Sequence, residues 1–475
     1  MRYDACVIGA GADGLAAAAW LARAGLSIRV VERESLPGGR LALREFHPGF
    51  RAPVFADEPA PIPDAIFHAF DLARAGAVLV PAPTSLAVWP DRAHRMRSGG
   101  SAFLRDMQSR LSALRARAEA EAARVPPRWT LFGRQAPAPP WPSADLCAQS
   151  LASVLASRMT GDAAAHVLAD TLAGRTADPF LAGTALHLVV PSDGGMAMGG
   201  SLPEALARVA RGAGAEISCG LEAVDVTRLK GRIAAVTLAD GSQIETGAVI
   251  STLDPKRTFL SLFRWSELPP DLAERVNRFR FAGGTARVLV ALERLPEVHL
   301  DALRGPIHAA PSGEAFAEAD AAWRAGIVPP HPPATIRLVS ASDPRLAPRG
   351  AATATVTLSG IPLRPFDGAW THEKREALRA AALAALSTVF PRAKAVASEI
   401  IAPPDLEEAL GLTGGDLMGG EIAPDQMFAA RMGPRTPLSG LYLGGRSTAA
   451  GVFGACLGGV VAARALLADR EAGRP

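Results

Sequence analysis

The sequence predicts an α/β fold in which a Rossmann-like, parallel-sheet half that binds a dinucleotide is threaded by a second half of mixed sheet and helices. Three observations predict it. A glycine pattern stands between a strand and a helix at the amino terminus, Ala215 to Ser251 alternates short β-rich runs with turns, and a glycine-bearing apolar strand stands near the carboxyl end.

The first unit is explicit residue by residue. Ala5-Cys6-Val7-Ile8 is an apolar strand, Gly9-Ala10-Gly11-Ala12-Asp13-Gly14 follows it, and Leu15 to Arg23 reads as helix. Gly9 lets the chain turn out of the strand, Gly11 lets backbone approach phosphates, and Gly14 lets helix and strand pack closely. The helix start carries unpaired N–H groups and about half a positive charge, which suits a pyrophosphate. Gly25 ends the helix, Ser27 to Val31 is the next strand, and Glu32 stands where a carboxylate accepts ribose hydroxyls. An acid there disfavours a 2′-phosphate. Six residues on, Gly38-Gly39-Arg40 allows another close backbone approach, and Arg40 offers a permanently charged fork.

Proline-rich Phe46 to Leu79 reads as loop with one short helix around Asp64 to Asp71. Ser101 to Arg124 has helical apolar spacing at Phe103, Leu104, Met107, Leu111 and Leu114, with Ser101 as cap; Val125 to Pro142 is a proline-rich surface connection. Leu151 to Met159 and Ala163 to Ala173 are helical. The segment from Ala215 is a β meander whose last strand, Ala248 to Ser251, returns to the first sheet. Arg287 to Leu292, Ala334 to Ser340 and Ala352 to Leu358 are strands of a second, mixed sheet, and Glu373 to Val389 is a helix. Gly440 to Gly445 reads as a buried strand, and Gly451 to Leu467 as a tightly packed helix. The expected division is 1–97, 192–280 and 406–475 for the cofactor half, and 98–191 with 281–405 for the substrate half.

With 475 residues, 49% of them apolar, the chain can bury large cores. A formal charge of +3 gives no reason to expect nucleic-acid binding. Cys6, Cys147, Cys219 and Cys456 form no CxxC pair and no histidine stands at metal spacing, so neither a dithiol centre nor a metal site is expected. No secretory leader pattern precedes the first strand, which predicts a cytoplasmic protein. Between Arg92 and Arg134, ten arginines face three acids, an excess of seven positive charges. A solvated cap surface is the ordinary reading of that stretch; peripheral contact with an anionic membrane through 92–134 is the alternative.

The order of Gly9 to Gly14, Glu32, Gly38-Gly39-Arg40, Gly194-Gly195-Met196, the meander and Gly444-Gly445 resembles the phytoene desaturase-like flavoproteins of the FAD-dependent amine oxidase superfamily. The nearest branch is that of carotenoid desaturases, retinol saturase and pyridine nucleotide-disulfide oxidoreductase domain-containing protein 2. Pro48-Gly49-Phe50, Leu292 to Pro296, Asp343 to Pro348 and Leu412 to Phe428 also match, so the resemblance covers essentially the whole chain. It implies a flavoprotein with two dinucleotide-binding domains, with FAD as cofactor. Gly38-Gly39-Arg40 would then lie along the pyrophosphate and ribityl chain. It further implies that Glu32 and Arg33 flank the adenosine ribose, Arg40 and Leu41 approach pyrophosphate and flavin, Ala223 offers backbone to the adenine, and Gly445, Arg446 and Val452 neighbour the pyrophosphate, ribityl chain and isoalloxazine. Two departures are visible. Relatives often carry His-Pro-Gly-Gly-Gly where this chain has Ala449-Ala450-Gly451, and a histidine where it has Gly419 before Gly420-Glu421.

The expected function is therefore an FAD-dependent oxidoreductase that desaturates or saturates a hydrophobic, isoprenoid- or lipid-like substrate. The apolar inserts, with few fixed charges at strand positions, suit such a molecule. Arg287 is the candidate active-site cation because relatives often place lysine there; a strand-edge arginine facing water is the competing reading. His308 reads as a structural histidine. The alternatives are an FAD-dependent amine oxidase, disfavoured by a chain with only Tyr3 and Tyr442 as tyrosines, and a flavin-bound binding or assembly protein.

Overall fold

The computed structural model describes residues 2–53, 55, 61–77, 80–81, 84–97, 101–123, 143–191, 196–197, 201–296 and 303–473. Gly194, Gly195 and the connection 125–142 lie outside them. The first sheet is five-stranded and wholly parallel, in the spatial order Glu216–Ser218, Ile28–Val31, Ala5–Ile8, Val249–Ser251, Leu441–Leu443. Strands from both ends of the chain thus flank one strand from its middle. Such a sheet is covered on both faces. On one side lie the helix Ala12–Arg23 and the terminal helix Leu457–Glu471, and Ala5–Ile8 is buried along its whole length. Gly14 is obligatory there, since a Cβ would sit 1.9 Å from the Gly9 carbonyl oxygen.

The meander Ala223–Leu229, Arg232–Leu238, Gln243–Thr246 is antiparallel and joins the edge strand Arg2–Tyr3 in a four-stranded sheet. Its turns run through Lys230-Gly231 and Asp240-Gly241, with positive φ at Lys230, Gly231 and Gly241.

The second sheet has seven strands, in the order Ala395–Ile401, Thr285–Leu292, Ala352–Ser359, Ala334–Arg337, Ile307–Ala309, Thr84–Val88, Ala93–Arg97. The helix His372–Val389 packs on it through Leu378, Ala382 and Leu386. The last two strands shift a border drawn from the sequence. Residues 84–97 stood with the cofactor half, yet Thr84–Val88 pairs in parallel with Ile307–Ala309 and so belongs to the seven-stranded sheet. Two further corrections concern local structure. Leu43–His47 and Phe50–Pro53 form a hairpin where proline content predicted loop, because Pro48-Gly49 occupies the turn and Pro53 a strand end. The terminal helix begins at Leu457 and not at Gly451. A single 3₁₀ turn, Gly451–Phe453, comes first, and Cys456 at φ +67° breaks the path between them.

The helix Ala102–Ala123 turns its apolar stripe inward. Met107, Leu114 and Ala118 are buried, and Arg115 reaches into the protein to donate to the carbonyls of Phe453 (2.8 Å) and Pro61 (3.2 Å). Among the described residues no helix is long and apolar enough to cross a membrane.

Candidate active site

The sharp exit of the chain from the first strand, the start of the first helix and the segment 38–41 build one wall of a groove. Gly9, Gly11, Ala12, Asp13, Glu32, Arg33, Gly38, Gly39, Arg40, Leu41, Ala223 and Arg446 all line it. The remaining residues expected there stand behind it. Ala10 donates its N–H to Glu32 Oε2 at 2.7 Å, Gly14 is the packing glycine, Gly445 abuts the Thr252 carbonyl, and Val452 is fully buried in the core. Sequence reasoning missed the opposite lip. Asp254, Arg257 and the segment 409–412 close the groove there, joined to the first wall by Arg33, which donates to the Glu408 carbonyl at 2.8 Å and to that of Ala409.

The groove fits an FAD. A Cβ built on Gly11 would meet no protein atom within 4 Å, so the space in front of this backbone is the groove's own. The helix N-terminus and two guanidiniums, Arg40 and Arg446, face that space and supply what a pyrophosphate requires. Glu32 is held by two backbone donors, Ala10 N–H and Glu34 N–H (2.9 Å), one on each carboxylate oxygen. Each oxygen keeps a further lone pair for a ribose hydroxyl. Arg40 also donates to the Leu417 carbonyl at 2.9 Å, tying the segment 38–41 to the loop 416–420. Asp13 is pushed up to about 6 by burial, against the opposing pull of hydrogen bonds from the terminal helix and of the Arg40 and Arg446 charges.

That loop is the partition between the groove and a second cavity of about 290 Å³. Leu417 lines both spaces, and Met418 lines the second. The absent histidine at 419 has a steric reason. Gly419 has φ +73°, a Cβ there would lie 2.8 Å from the Ser447 nitrogen, and its carbonyl accepts from the buried Arg431 at 2.8 Å. Burial lowers the Arg431 guanidinium to about 10.

The second cavity is roofed by Leu104, Met107 and Leu111 of the long helix and walled by Val167, Leu188 and Val190, with the seven-stranded sheet beneath. Arg287 lines it. The guanidinium is buried and donates to Thr357 Oγ1 (2.9 Å) and to the Pro53 carbonyl (3.3 Å). The water-facing reading therefore fails, since Thr285–Leu292 is an interior strand flanked on both sides. The expectation of few charges at strand positions also fails: Arg97, Arg287 and Arg337 all come from strands of this sheet and line the cavity. Neither tyrosine reaches it, because Tyr442 donates to Asp469 at 3.0 Å and Tyr3 to Glu216 at 2.8 Å, both in the cofactor half.

His308 is more than an isolated structural residue. Its Nε2 lies 2.8 Å from Asp170 Oδ1, and Asp170 lines the cavity beside Ser85 and Thr335. Sequence reading missed His94, His166, Ser85 and Asp170. The one available signal was His166 and Asp170, four residues apart on a single helical face. His166, Asp170 and His308 also bring their ligand atoms within 4.8 Å of one another, a cluster no sequence spacing announces.

A parallel sheet assembled from both chain ends, with a glycine-lined groove at its strand ends, defines a Rossmann-type nucleotide-binding protein. The chain belongs to the flavin containing amine oxidoreductase family, whose model matches residues 77–467, while an NAD(P)-binding Rossmann-like domain model matches residues 7–71. It is an oxidoreductase with FAD as cofactor. It is 26% identical to pyridine nucleotide-disulfide oxidoreductase domain-containing protein 2 of Mus musculus, over 96% of this chain and 92% of that one. Among solved structures it resembles wild-type putrescine oxidase bound to putrescine (TM-score 0.61, 16% identity, all of both chains). It also resembles cyclohexylamine oxidase from Brevibacterium oxydans (TM-score 0.59, 17% identity, all of both chains). At these identities the two structures speak to the fold.

Proposed function

We propose that the protein uses FAD to desaturate or saturate a carbon–carbon bond in a hydrophobic molecule. The observation that carries this reading is the helix-roofed cavity, apolar under Leu104, Met107 and Leu111, that meets the nucleotide groove at Leu417. FAD would lie in the groove with its pyrophosphate at Gly9 to Gly14 and Arg40, its adenosine ribose at Glu32 and its adenine beside Ala223. When bound, the flavin supplies hydride transfer. The protein holds the apolar body of the substrate under Leu104, Met107 and Leu111, excludes water there, and presents Arg287 and Asp170 to a polar end.

An amine oxidase is the second reading, favoured by the Asp170 carboxylate, which suits an ammonium group. Against it, Phe55 is the single phenyl, phenol or indole ring lining the cavity among the described residues. Anaerobic bleaching of the flavin absorbance by a panel of carotenoid precursors, retinoids and amines decides between them. Bleaching by an isoprenoid and not by amines supports the first reading. Bleaching by amines alone, with peroxide released in air, overturns it in favour of the second.

A further inference from the structure

Six side chains from five elements form one unbroken hydrogen-bonded line into the wall of the substrate cavity. His94 Nδ1 lies 2.8 Å from His166 Nδ1, His166 Nε2 lies 2.8 Å from Ser85 Oγ, and Ser85 Oγ lies 2.8 Å from Asp170 Oδ2. On the other side of Asp170, His308 Nε2 lies 2.8 Å from Oδ1, and His308 Nδ1 lies 3.0 Å from Thr335 Oγ1. The outer end, His94, is half-exposed on the edge strand Ala93–Arg97. His166 and His308 are buried. About a quarter of the Asp170 side chain is open, and it lines the cavity.

The direction of every proton in this line follows by elimination. Asp170 is ionised: burial pushes it upward, but hydrogen bonds from His308 and Ser85 hold it below its ordinary range. A carboxylate only accepts, so Ser85 donates its single hydroxyl proton to Asp170. Ser85 must then accept from His166, which carries its proton on Nε2. His166 is neutral, because burial lowers it to about 4, so its Nδ1 is a bare acceptor for His94 Nδ1–H. His308 likewise donates to Asp170 through Nε2. All donors point toward the carboxylate.

We propose that His94, His166, Ser85 and Asp170 are a proton path between solvent and the substrate cavity, with Asp170, positioned by His308, as the acid–base group that meets the substrate. The proposal rests on the functional reading for the place of the substrate in this cavity and for the gain or loss of two hydrogens at its carbon–carbon bond. Adding two hydrogens across a double bond consumes a hydride and a proton, and removing them returns both. The path carries the proton alone. A concerted shift moves one proton from His94 to His166 Nδ1, one from His166 Nε2 to Ser85, and one from Ser85 to Asp170 Oδ2. The balance is one proton taken from solvent at His94 and one delivered at the cavity wall; oxidation runs the shift backwards. The arrangement has the spacing of a metal site, but each ligand atom already serves a hydrogen bond in this line.

The experiment uses the FAD-loaded protein and the panel compound that bleaches its flavin. Asp170→Asn should retain flavin and lose about 100-fold or more in bleaching rate, with Asp170→Glu recovering part of it. His94→Ala should slow the reaction about tenfold, and added imidazole should restore it by supplying protons where the ring was removed. A purely structural residue would show no imidazole rescue. No slowing in His94→Ala, or slowing that imidazole leaves unchanged, overturns the path. If no panel compound bleaches the flavin, the functional reading fails and the path is judged by ¹⁵N-histidine NMR. His166 as the Nε2–H tautomer, neutral at pH 6, supports it; the Nδ1–H tautomer or a protonated ring overturns it. Stoichiometric zinc in the purified protein, lost in His166→Gln, would overturn it in favour of a metal centre.

Discussion

Asp13 and Gly459, 446 residues apart, lie in contact: the Gly459 N–H donates to Asp13 Oδ1 at 3.3 Å. The glycine is required because a Cβ at 459 would lie 1.8 Å from the Asp13 carbonyl oxygen. Two helices from opposite chain ends thereby share one seam behind the groove. Gly459→Ala should cost about 1–3 kcal/mol by overpacking and should weaken FAD retention, since it displaces the first turn of the phosphate-facing helix. Urea titration with flavin absorbance followed in parallel checks both effects.

Glu32 is the acceptor that both orders the loop, through Ala10 and Glu34, and faces the groove. Glu32→Ala leaves those two donors without it and removes the proposed ribose contact. FAD affinity of the reconstituted protein should fall by about 10- to 100-fold, the equivalent of roughly 1–3 kcal/mol. Fluorescence quenching on titrating apoprotein with FAD measures it.

Much of the cofactor half was legible because its chemistry is local. Strand Ala5–Ile8, the glycines after it and Glu32 lie within one βαβ unit, so the spacing alone defines them. The helix Ala102–Ala123 and its Ser101 cap, whose Oγ accepts from Leu104 N–H at 3.1 Å, were likewise announced by periodicity. The second cavity was not. Ser85 and His308 stand on strands about 220 residues apart that pair in parallel, His94 and Asp170 join them from the neighbouring strand Ala93–Arg97 and the helix Gly161–Leu172, and no local pattern encodes that assembly. Arg287 was legible as a residue, but its burial depends on the flanking strands Ala352–Ser359 and Ala395–Ile401.

Arg287→Met should destabilise the protein by about 1.5–3 kcal/mol, because it strips a charged donor from Thr357 and the Pro53 carbonyl inside the sheet. Arg287→Lys should recover part of that loss. Thermal unfolding of the two variants side by side gives the comparison.

His166 gives the fold an acid sensitivity of definite sign. It is buried neutral beside His94, Asp170 and His308, and its folded value of about 4 lies below the ordinary 6.5. The stability this contributes is fully present above pH 6.5 and is lost as pH falls toward 4, by up to about 3 kcal/mol. Asp13 acts oppositely: raised from 3.8 to about 6, it favours folding below pH 3.8 and opposes it as pH rises through 6. The stability of His166→Gln relative to the unaltered protein should therefore climb between pH 6.5 and 4, as chemical denaturation at each pH would show. A constant difference would contradict the assignment.

The central claim is that the two chain ends together form the seat of the flavin, and bound-FAD stoichiometry in Gly11→Val tests it most directly. A Cβ at position 11 meets no protein atom within 4 Å, so the variant should fold with little change in thermal stability. The unaltered protein should carry one FAD per chain by its visible absorbance after reconstitution, and Gly11→Val essentially none. Equal FAD in both proteins, or an unaltered protein that stays colourless, would contradict the account.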